Sequence, residues 1–266
     1  MSNNLLEKLT PTPTRLSRRD LLGFAAKGAA SVVVSQSLLL ACASGAASAT
    51  DTSSSTTDPT TSTPATGSAT CVLTAALTEG PFFVDEMLNR SDIRTDPATG
   101  VVSAGIPLAL SFNVSRVANS ACTPLTGAYL DVWHCDAGGV YSDVSGSSRK
   151  FLRGYQITDA NGVATFTSIY PGWYSGRAVH IHFKLRLFAG STKTYEFTSQ
   201  FFFNDALTDS VYTQSPYSTR GARNTRNAND GIYNSLSTND KAALTLQPST
   251  TNGSYAGVIN LGVNVG

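Results

Sequence analysis

Two of the chain's three histidines, His180 and His182, lie one residue apart within an apolar run. If this run is a β-strand, successive side chains point to opposite faces, so the two imidazoles share one face and their apolar neighbours share the other. Two imidazoles at this spacing can bind one metal ion from a rigid strand. By itself the pair is weak evidence, because such pairs are more often surface or core residues than ligands.

The segments around and before this pair add tyrosines and an arginine. Residues 171–182 read PGWYSGRAVHIH and contain Tyr174 and Arg177, while residues 132–142 read VWHCDAGGVYS and contain Tyr141. Ionising a tyrosine at pH 7 costs about 4 kcal/mol, because its ordinary pKa is near 10. Only a hard, highly charged cation nearby would offset two such ionisations. Either tyrosine alone would be assigned to packing, since the chain has ten and β-sandwiches favour them.

These two segments, together with TEGPFF at 78–83, FLRG at 151–154 and TD at 158–159, resemble the intradiol ring-cleavage dioxygenases of the catechol and protocatechuate type. The similarity extends from Cys71 to near the C-terminus and is greatest to the exported branch of that family. The resemblance implies a ferric iron, Fe(III), held by two tyrosinates and two histidines. The implied ligands are Tyr141, Tyr174, His180 and His182, with Tyr174 and His182 axial.

The resemblance also implies roles for residues around the metal. Arg177 matches the arginine that faces the bound substrate, and Gln200, in TSQFF at 198–202, matches a glutamine behind the ligands. Tyr174 would be both a ligand and the general base. The substrate pocket would be lined at its mouth by Gly80, Pro81 and Phe82.

The implied reaction is the cleavage of a catechol-type diol between its two hydroxyl-bearing carbons, with O₂ as co-substrate and a muconate-type dicarboxylate as product. Two alternatives stay open. One is a surface-displayed β-sandwich module that keeps the metal scaffold without turnover. The other is a copper or zinc protein built on the histidine pair alone, although two tyrosinates favour Fe³⁺.

Three other residues near the motifs have competing interpretations. His134 could be a third imidazole ligand, but its spacing from Tyr141 favours a supporting or structural histidine. Tyr170 precedes the Pro-Gly turn and is assigned to packing. Arg177 could instead pair with a carboxylate such as Asp143, although its place before the histidine pair favours catalysis.

Period-two alternation dominates the sequence that must position these groups, and it predicts an all-β fold: a β-sandwich of two packed, mostly antiparallel sheets with long irregular loops. Strands are predicted at 108–114 and 255–265, and a hairpin joins 155–158 to 163–166. Residues 204–240 read as a long polar surface excursion with one short helix near 230–236. Lys184 and Arg186 continue the histidine face, and we expect both to reach solvent.

The N-terminus reads as an unstructured export signal and linker. Residues 17–22, SRRDLL, resemble a twin-arginine signal, and residues 39–42, LLAC, resemble a lipoprotein processing box that would place a lipid on Cys42. We therefore predict a signal at 1–42, a Ser/Thr-rich linker at 43–70 and one catalytic domain at 71–266. The predicted location is the cell envelope, with the lipid as the membrane contact.

Composition and cysteines limit the remaining partners. The net charge of +1 and the 14% content of charged residues give no basic surface for nucleic acid. An exported protein can form disulfides, and a hairpin would bring Cys122 and Cys135 together, leaving Cys71 unpaired. The oligomeric state is open, with a homodimer as one option.

Overall fold

A computed structural model of the chain describes residues 72–144 and 146–266. The predicted signal and linker, the lipidation site Cys42 and the domain limits drawn at residues 42 and 70 lie outside the described residues. The signal, the linker, the lipidation site and these domain limits therefore remain predictions. Within the described part of the chain, no helix is long and apolar enough to span a membrane.

The described residues contain ten strands: β1 Pro107–Ala118, β2 Ala121–Pro124, β3 Tyr129–Trp133, β4 Arg153–Ile157, β5 Val163–Ile169, β6 His180–Ala189, β7 Thr192–Phe203, β8 Thr245–Leu246, β9 Ser249–Thr251 and β10 Ser254–Val263. One sheet has the order β2-β1-β10-β9, with β5 also paired to β1. The other has the order β4-β3-β6-β7-β8. The predicted all-β sandwich is confirmed.

Alternate residues of β1 and β10 supply the first sheet's half of the core. β1 buries four apolar side chains on one face and pairs in parallel with β10, placing Phe112 beside Ile259. The Phe112 ring lies 5.9 Å from Phe183 on β6 and 6.0 Å from Phe201 on β7, both in the second sheet. This packing turns the inner face of β6 toward the core and leaves the histidine face outside it.

The predicted hairpin at 155–166 is wrong. The turn itself forms, since the Asp159 amide donates to Val163 and the Gly162 amide donates to Asp159. However, β4 pairs with β3 and β5 pairs with β1, so the two strands lie in different sheets. The turn signal was correct, but alternation along a strand does not specify which sheet the strand joins.

The predicted Cys122–Cys135 disulfide is also wrong. Cys122 lies on β2 in the first sheet and is disulfide-bonded, whereas Cys135 follows β3 in the second sheet and is a free, buried thiol. No hairpin joins β2 to β3. The partner of Cys122 lies outside the described residues.

The 204–240 excursion is more helical than predicted. It contains α1, Asp205–Val211, and α2, Gly231–Asn234, and it ends within α3, Thr238–Leu244. The short helix expected near 230–236 is therefore present, but α1 and α3 were missed. Both are only two turns long, too short for apolar periodicity to appear, and side-chain caps from Asn204 and Ser237 begin them.

The N-terminal residues of the described domain are fixed to both sheets. The Thr74 amide donates to Gly262 on β10, and the Gly262 amide donates to the Thr74 hydroxyl. The Leu77 amide donates to Thr198, and the Ser199 hydroxyl donates to Ala75, which connects the same stretch to β7. We call these four hydrogen bonds the N-terminal clamp. The next residues, 78–87, lie over the outer face of β6 and are called the cover segment.

Candidate metal centre

Strand β6 places His180 and His182 on the face that lies under the cover segment. His182 pairs with Trp133 on β3 and with Gln200 on β7, so it lies on a central strand bonded on both sides. The Trp133 and His182 rings stack with their centroids 4.9 Å apart and their planes 8° apart. Both histidines are almost fully buried, with 2% and 1% of their surface exposed.

The four predicted ligand atoms converge around one point. From the Nε2 atom of His180, the Nε2 atom of His182 is 3.1 Å away, the Oη atom of Tyr174 is 3.2 Å away and that of Tyr141 is 3.4 Å away. Atoms that each lie about 2.1 Å from a shared metal ion are roughly 3 to 3.5 Å apart. These spacings therefore suit donors to one metal ion.

The protonation of the histidines also suits a cation. The Nδ1–H group of His180 donates to the Ala178 carbonyl at 2.6 Å, so the Nε2 atom of His180 carries a lone pair. Burial and the neighbouring Arg177 charge lower the pKa of His180 to about 3, and burial with His180 lowers the pKa of His182 well below its ordinary value. Both rings are therefore neutral at pH 7. One cation placed between the rings could bind both Nε2 atoms.

The tyrosines differ in how far they are buried. Tyr141 is 5% exposed and stacks against Phe82 of the cover segment, with ring centroids 4.3 Å apart, whereas Tyr174 is half-buried. Burial raises the pKa of both phenols, so a strong local positive charge is needed to ionise them. Tyr174 is the more accessible of the two residues.

Carboxylates are absent from this donor set. Among the described residues, no three or more His, Cys, Asp and Glu side chains are grouped so that they could hold a metal. A metal bound here would depend on the tyrosine oxygens. Hard anionic phenolates with two neutral imidazoles fit Fe³⁺, and these residues therefore fit the ion that the sequence resemblance implied.

Arg177 is held beside the ligands by two partners. Its Nε–H donates to the Asp230 carboxylate at 2.9 Å and its Nη2–H donates to the Gln200 side chain at 2.6 Å. Its Nη1 atom lies 3.4 Å from the Nε2 atom of His180. The carboxylate partner is thus Asp230, and the alternative pairing with Asp143 does not occur.

Gln200 joins the arginine to the cover segment. It is fully buried, and its amide donates to the Thr78 carbonyl at 2.7 Å while its oxygen accepts from Arg177. Its side chain thus lies between Arg177 and the cover segment. The side chain fixes the beginning of the cover segment relative to the metal centre.

The three predicted pocket residues lie at the outer side of the centre. Gly80 has a φ of +70°, and a Cβ atom added there would lie 3.5 Å from the His182 ring. Pro81 is exposed, and the Phe82 ring meets Tyr174 edge-on at 6.1 Å. The cover segment therefore approaches the histidine pair through a glycine and contacts the tyrosines through a phenylalanine.

His134 and Tyr170 do not face the metal centre. The Nδ1–H of His134 donates to the Cys135 carbonyl at 2.8 Å, and its Nε2 accepts from the Ser168 hydroxyl at 2.6 Å. Both ring nitrogens are used, so His134 is not a third ligand. Tyr170 is fully buried in the core, with its hydroxyl 2.8 Å from that of Thr208.

The expectation that Lys184 and Arg186 reach solvent is wrong. Each is only 3% exposed, because the cover segment lies over them. Lys184 pairs with Glu79 and Glu196, and Arg186 pairs with Asp85 and Asp131. Alternation assigned them to the correct face, but it could not show that a strandless segment covers that face.

Two residues around the centre were not identified from the sequence. Asp230 holds Arg177 from 53 positions away, and no local pattern connects the two. Arg153 donates to the Ser142 hydroxyl at 2.9 Å and so holds the residue next to Tyr141. The FLRG segment was noted for resemblance only, and nothing in it indicates that its arginine would be buried.

Comparison with known proteins gives a consistent result. A family model described as Dioxygenase matches residues 78–224, which include all four candidate ligands. Over 98 residues the chain is 30% identical to a hydroxyquinol 1,2-dioxygenase of Corynebacterium glutamicum, covering 37% of this chain and 31% of that protein. Over 133 residues it is 29% identical to a chlorocatechol 1,2-dioxygenase of Rhodococcus opacus, covering 42% and 51%. The matches thus span about a third and a half of these curated relatives.

Solved structures match over a larger share. An intradiol ring-cleavage dioxygenase from Tetranychus urticae is 29% identical with a TM-score of 0.61, covering 73% of this chain and 95% of that one. The dioxygenase domain of a carbohydrate-binding fusion protein from Streptomyces sp. SirexAA-E is 29% identical with a TM-score of 0.53, covering 73% and 100%.

Proposed function

The chain belongs to the intradiol ring-cleavage dioxygenase family, and on that premise we propose that it is a non-haem Fe(III) enzyme. It inserts both atoms of O₂ into a catechol-type diol and yields a muconate-type dicarboxylate. The observation that carries this proposal is the convergence of two phenol oxygens and two imidazole nitrogens, three of them 3.1 to 3.4 Å from the Nε2 atom of His180.

Iron would be held by Tyr141, Tyr174, His180 and His182. When bound, the ferric ion supplies a positive charge that stabilises both phenolates and withdraws electron density from a coordinated diol. Neutral imidazoles and two anionic phenolates leave one positive charge of the ion to be balanced by a further anion. The low pKa of both histidines supports this role, because neither proton nor carboxylate competes for their lone pairs.

Tyr174 is the residue best placed to take a proton from the diol. It is half-buried where Tyr141 is buried, so it is the more accessible of the two tyrosines to an entering substrate. Its Oη atom as proton acceptor would let one residue serve as ligand and base. Arg177, fixed by Asp230 and Gln200, would stabilise negative charge on the substrate.

The test combines a visible spectrum, iron analysis and oxygen uptake on the purified full chain. We expect a wine-red protein, from tyrosinate-to-iron charge transfer, that consumes O₂ with one or more of catechol, hydroxyquinol, chlorocatechol and protocatechuate. Tyr174→Phe should shift the absorption band and slow turnover. Tyr170→Phe is the matched control, because Tyr170 lies in the core, and it should leave both unchanged.

Other outcomes would separate the alternatives. A fully iron-loaded but colourless protein would refute tyrosinate ligation. A coloured protein without oxygen uptake on the whole panel would favour the binding module that retains the scaffold. Copper or zinc in place of iron would favour a site built on the histidine pair alone.

We also propose that the chain is exported and carries a lipid on Cys42. The support is the twin-arginine and LLAC patterns in the sequence. Replacing Arg18 and Arg19 together by lysine should retain the protein in the cytoplasm, and Cys42→Ala should release it from the membrane fraction. Unchanged fractionation of both variants would contradict the proposal.

A further inference from the structure

Asp230 is a fully buried carboxylate in the 204–240 excursion, and its acceptor positions are occupied. Its Oδ1 atom accepts from the Ile232 amide at 2.7 Å and the Tyr233 amide at 3.1 Å, which caps α2. Its Oδ2 atom accepts from the Arg177 Nε–H at 2.9 Å and the Ala178 amide at 2.7 Å. One oxygen therefore serves the excursion and the other serves the metal centre.

The contact with Arg177 determines where the guanidinium points. The group is planar, so fixing two of its nitrogens fixes the third. Asp230 holds Nε and Gln200 holds Nη2, which leaves Nη1 directed at the Nε2 atom of His180, 3.4 Å away. Without Asp230, the guanidinium would keep one anchor and could rotate about it.

The contact with Ala178 extends the same control to the ligand strand. The Ala178 amide donates to Asp230, and the Ala178 carbonyl accepts from the Nδ1–H of His180 at 2.6 Å. The peptide units on both sides of Ala178 are thereby fixed just before β6 begins. Asp230 thus restrains both the arginine and the backbone that orients the first histidine.

The excursion is anchored firmly enough for this purpose. Arg223, whose side chain is 3% exposed, pairs with Asp205 and Asp209, and the Asn227 amide group donates to the Phe203 carbonyl at the end of β7. Burial alone would raise the pKa of the Asp230 carboxyl, but the hydrogen bond from Ala178 and the Arg177 charge hold it below its ordinary value. The group is therefore an anion at neutral pH, as pairing with Arg177 requires.

We propose that Asp230 is a positioning residue that aims Arg177 at the metal centre, where the substrate would bind. The inference rests on the proposed function for the role of Arg177. It goes beyond that function by assigning a task to Asp230, which lies past the end of the matched family region at residue 224.

Two variants test it. Asp230→Asn removes the charge and points an amide donor at Arg177, whereas Asp230→Ser keeps a residue type that caps helices but is too short to reach the guanidinium. Each should lower kcat/KM by about 100-fold, the scale expected when a catalytic group is misplaced by about 1 Å. The iron content and the visible band should persist, because all four ligands remain. Asp205→Asn is the control, an aspartate paired with a buried arginine of the same excursion but away from the centre.

A double-mutant cycle separates positioning from a general structural role. In an Arg177→Gln background, adding Asp230→Ser should lower kcat/KM by a further factor of less than about 3. The reason is that the guanidinium that Asp230 positions is already absent. An equal loss in both backgrounds would overturn the proposal. So would wild-type kcat/KM in the single variants.

Crystal structures of the wild type and of Asp230→Ser give a readout that needs no turnover. Arg177 should leave its position in the variant, and an unmoved guanidinium would overturn the inference. If the wild type consumes no O₂ with any diol, the proposed function fails, while the position of Arg177 still decides the structural part of this proposal.

Discussion

The outer face of β6 divides into two halves that are equally buried but chemically opposite. His180 and His182 are 2% and 1% exposed, and Lys184 and Arg186 are each 3% exposed. The two cations pair with carboxylates from the cover segment and from β3 and β7. The two histidines face phenols, each other and Arg177, and no carboxylate in the described part of the chain is hydrogen-bonded to either.

The difference shows that burial of polar groups does not identify a functional site. In the cationic half, each charge is compensated within the protein, as the cost of burying it requires. In the histidine half, the two Nε2 atoms lie 3.1 Å apart, and the Nδ1 atom of His182 has no hydrogen-bond partner among the described residues. Polar groups whose hydrogen bonding is incomplete within the protein therefore distinguish the candidate metal centre from the Lys184 and Arg186 half of the same face.

The largest effect is expected from a change in the histidine half. His182→Gln removes an implied ligand and should lower O₂ uptake by on the order of 1000-fold, since a metal contributes several kcal/mol to such chemistry. Iron analysis and the visible band should show the loss directly, while circular dichroism shows a folded domain. Retained iron and activity in this variant would remove His182 from the ligand set.

In the cationic half, the corresponding change should affect stability instead of metal binding. Arg186→Met leaves Asp131 buried without its partner and should lower the free energy of unfolding by about 3 to 5 kcal/mol. Chemical denaturation measures this loss, and the iron content of the folded fraction should be unchanged. The control is Asp85→Asn, because that carboxylate is 43% exposed and its loss should cost less than about 1 kcal/mol.

His134 is a third buried histidine, and both of its ring nitrogens are hydrogen-bonded within the protein. We expect it to make the free energy of unfolding depend on pH. Burial lowers its pKa to about 4, whereas the unfolded chain takes up the proton near pH 6.5. Between these values the unfolded state binds more protons, so stability falls as the pH falls, by roughly 2.5 kcal/mol between pH 7.5 and 4.5. His134→Asn should be less stable at pH 7.5 but should lose less on acidification. An identical pH dependence for both proteins would contradict this account.

The smallest effect is expected at the exposed edge of the cationic half. Glu196 pairs with Lys184 and Lys193 and has 34% of its side chain exposed, so Glu196→Gln should change the free energy of unfolding by less than about 1 kcal/mol. Added salt should reduce the difference further, because exposed pairs are screened. A loss as large as that of Arg186→Met would show that Glu79 does not compensate Lys184 by itself.

Those parts of the molecule that depend on local patterns could be predicted from the sequence. Alternation in β1 and β10 indicated the sandwich, and the spacing of His180 and His182 placed both imidazoles on one face of β6. The convergence of Tyr141 with these residues could be expected only through family resemblance, since 39 positions separate Tyr141 from His180. Local periodicity carries no information about that distance.

The features that could not be predicted are contacts between segments that lie far apart in the sequence. Asp230 reaches Arg177 only because the excursion folds back to the start of β6, and its own sequence neighbours indicate only a helix cap. The burial of Lys184 and Arg186 depends on the cover segment, which has no regular structure to predict. The Cys122–Cys135 pairing failed for the same reason, since sequence spacing did not show that the two residues belong to different sheets.

The N-terminal clamp determines how the domain would bear a mechanical load. A pull on the chain ahead of residue 72 would be borne by the disulfide of Cys122 on β2 and by the four hydrogen bonds at Thr74, Ala75 and Leu77. The hydrogen bonds end on β10 in one sheet and on β7 in the other, so tension would be divided between the two layers before it reached Gly80 or Phe82. A domain held by a tether at this end could be tugged by its surroundings while the residues over the metal centre stay in place.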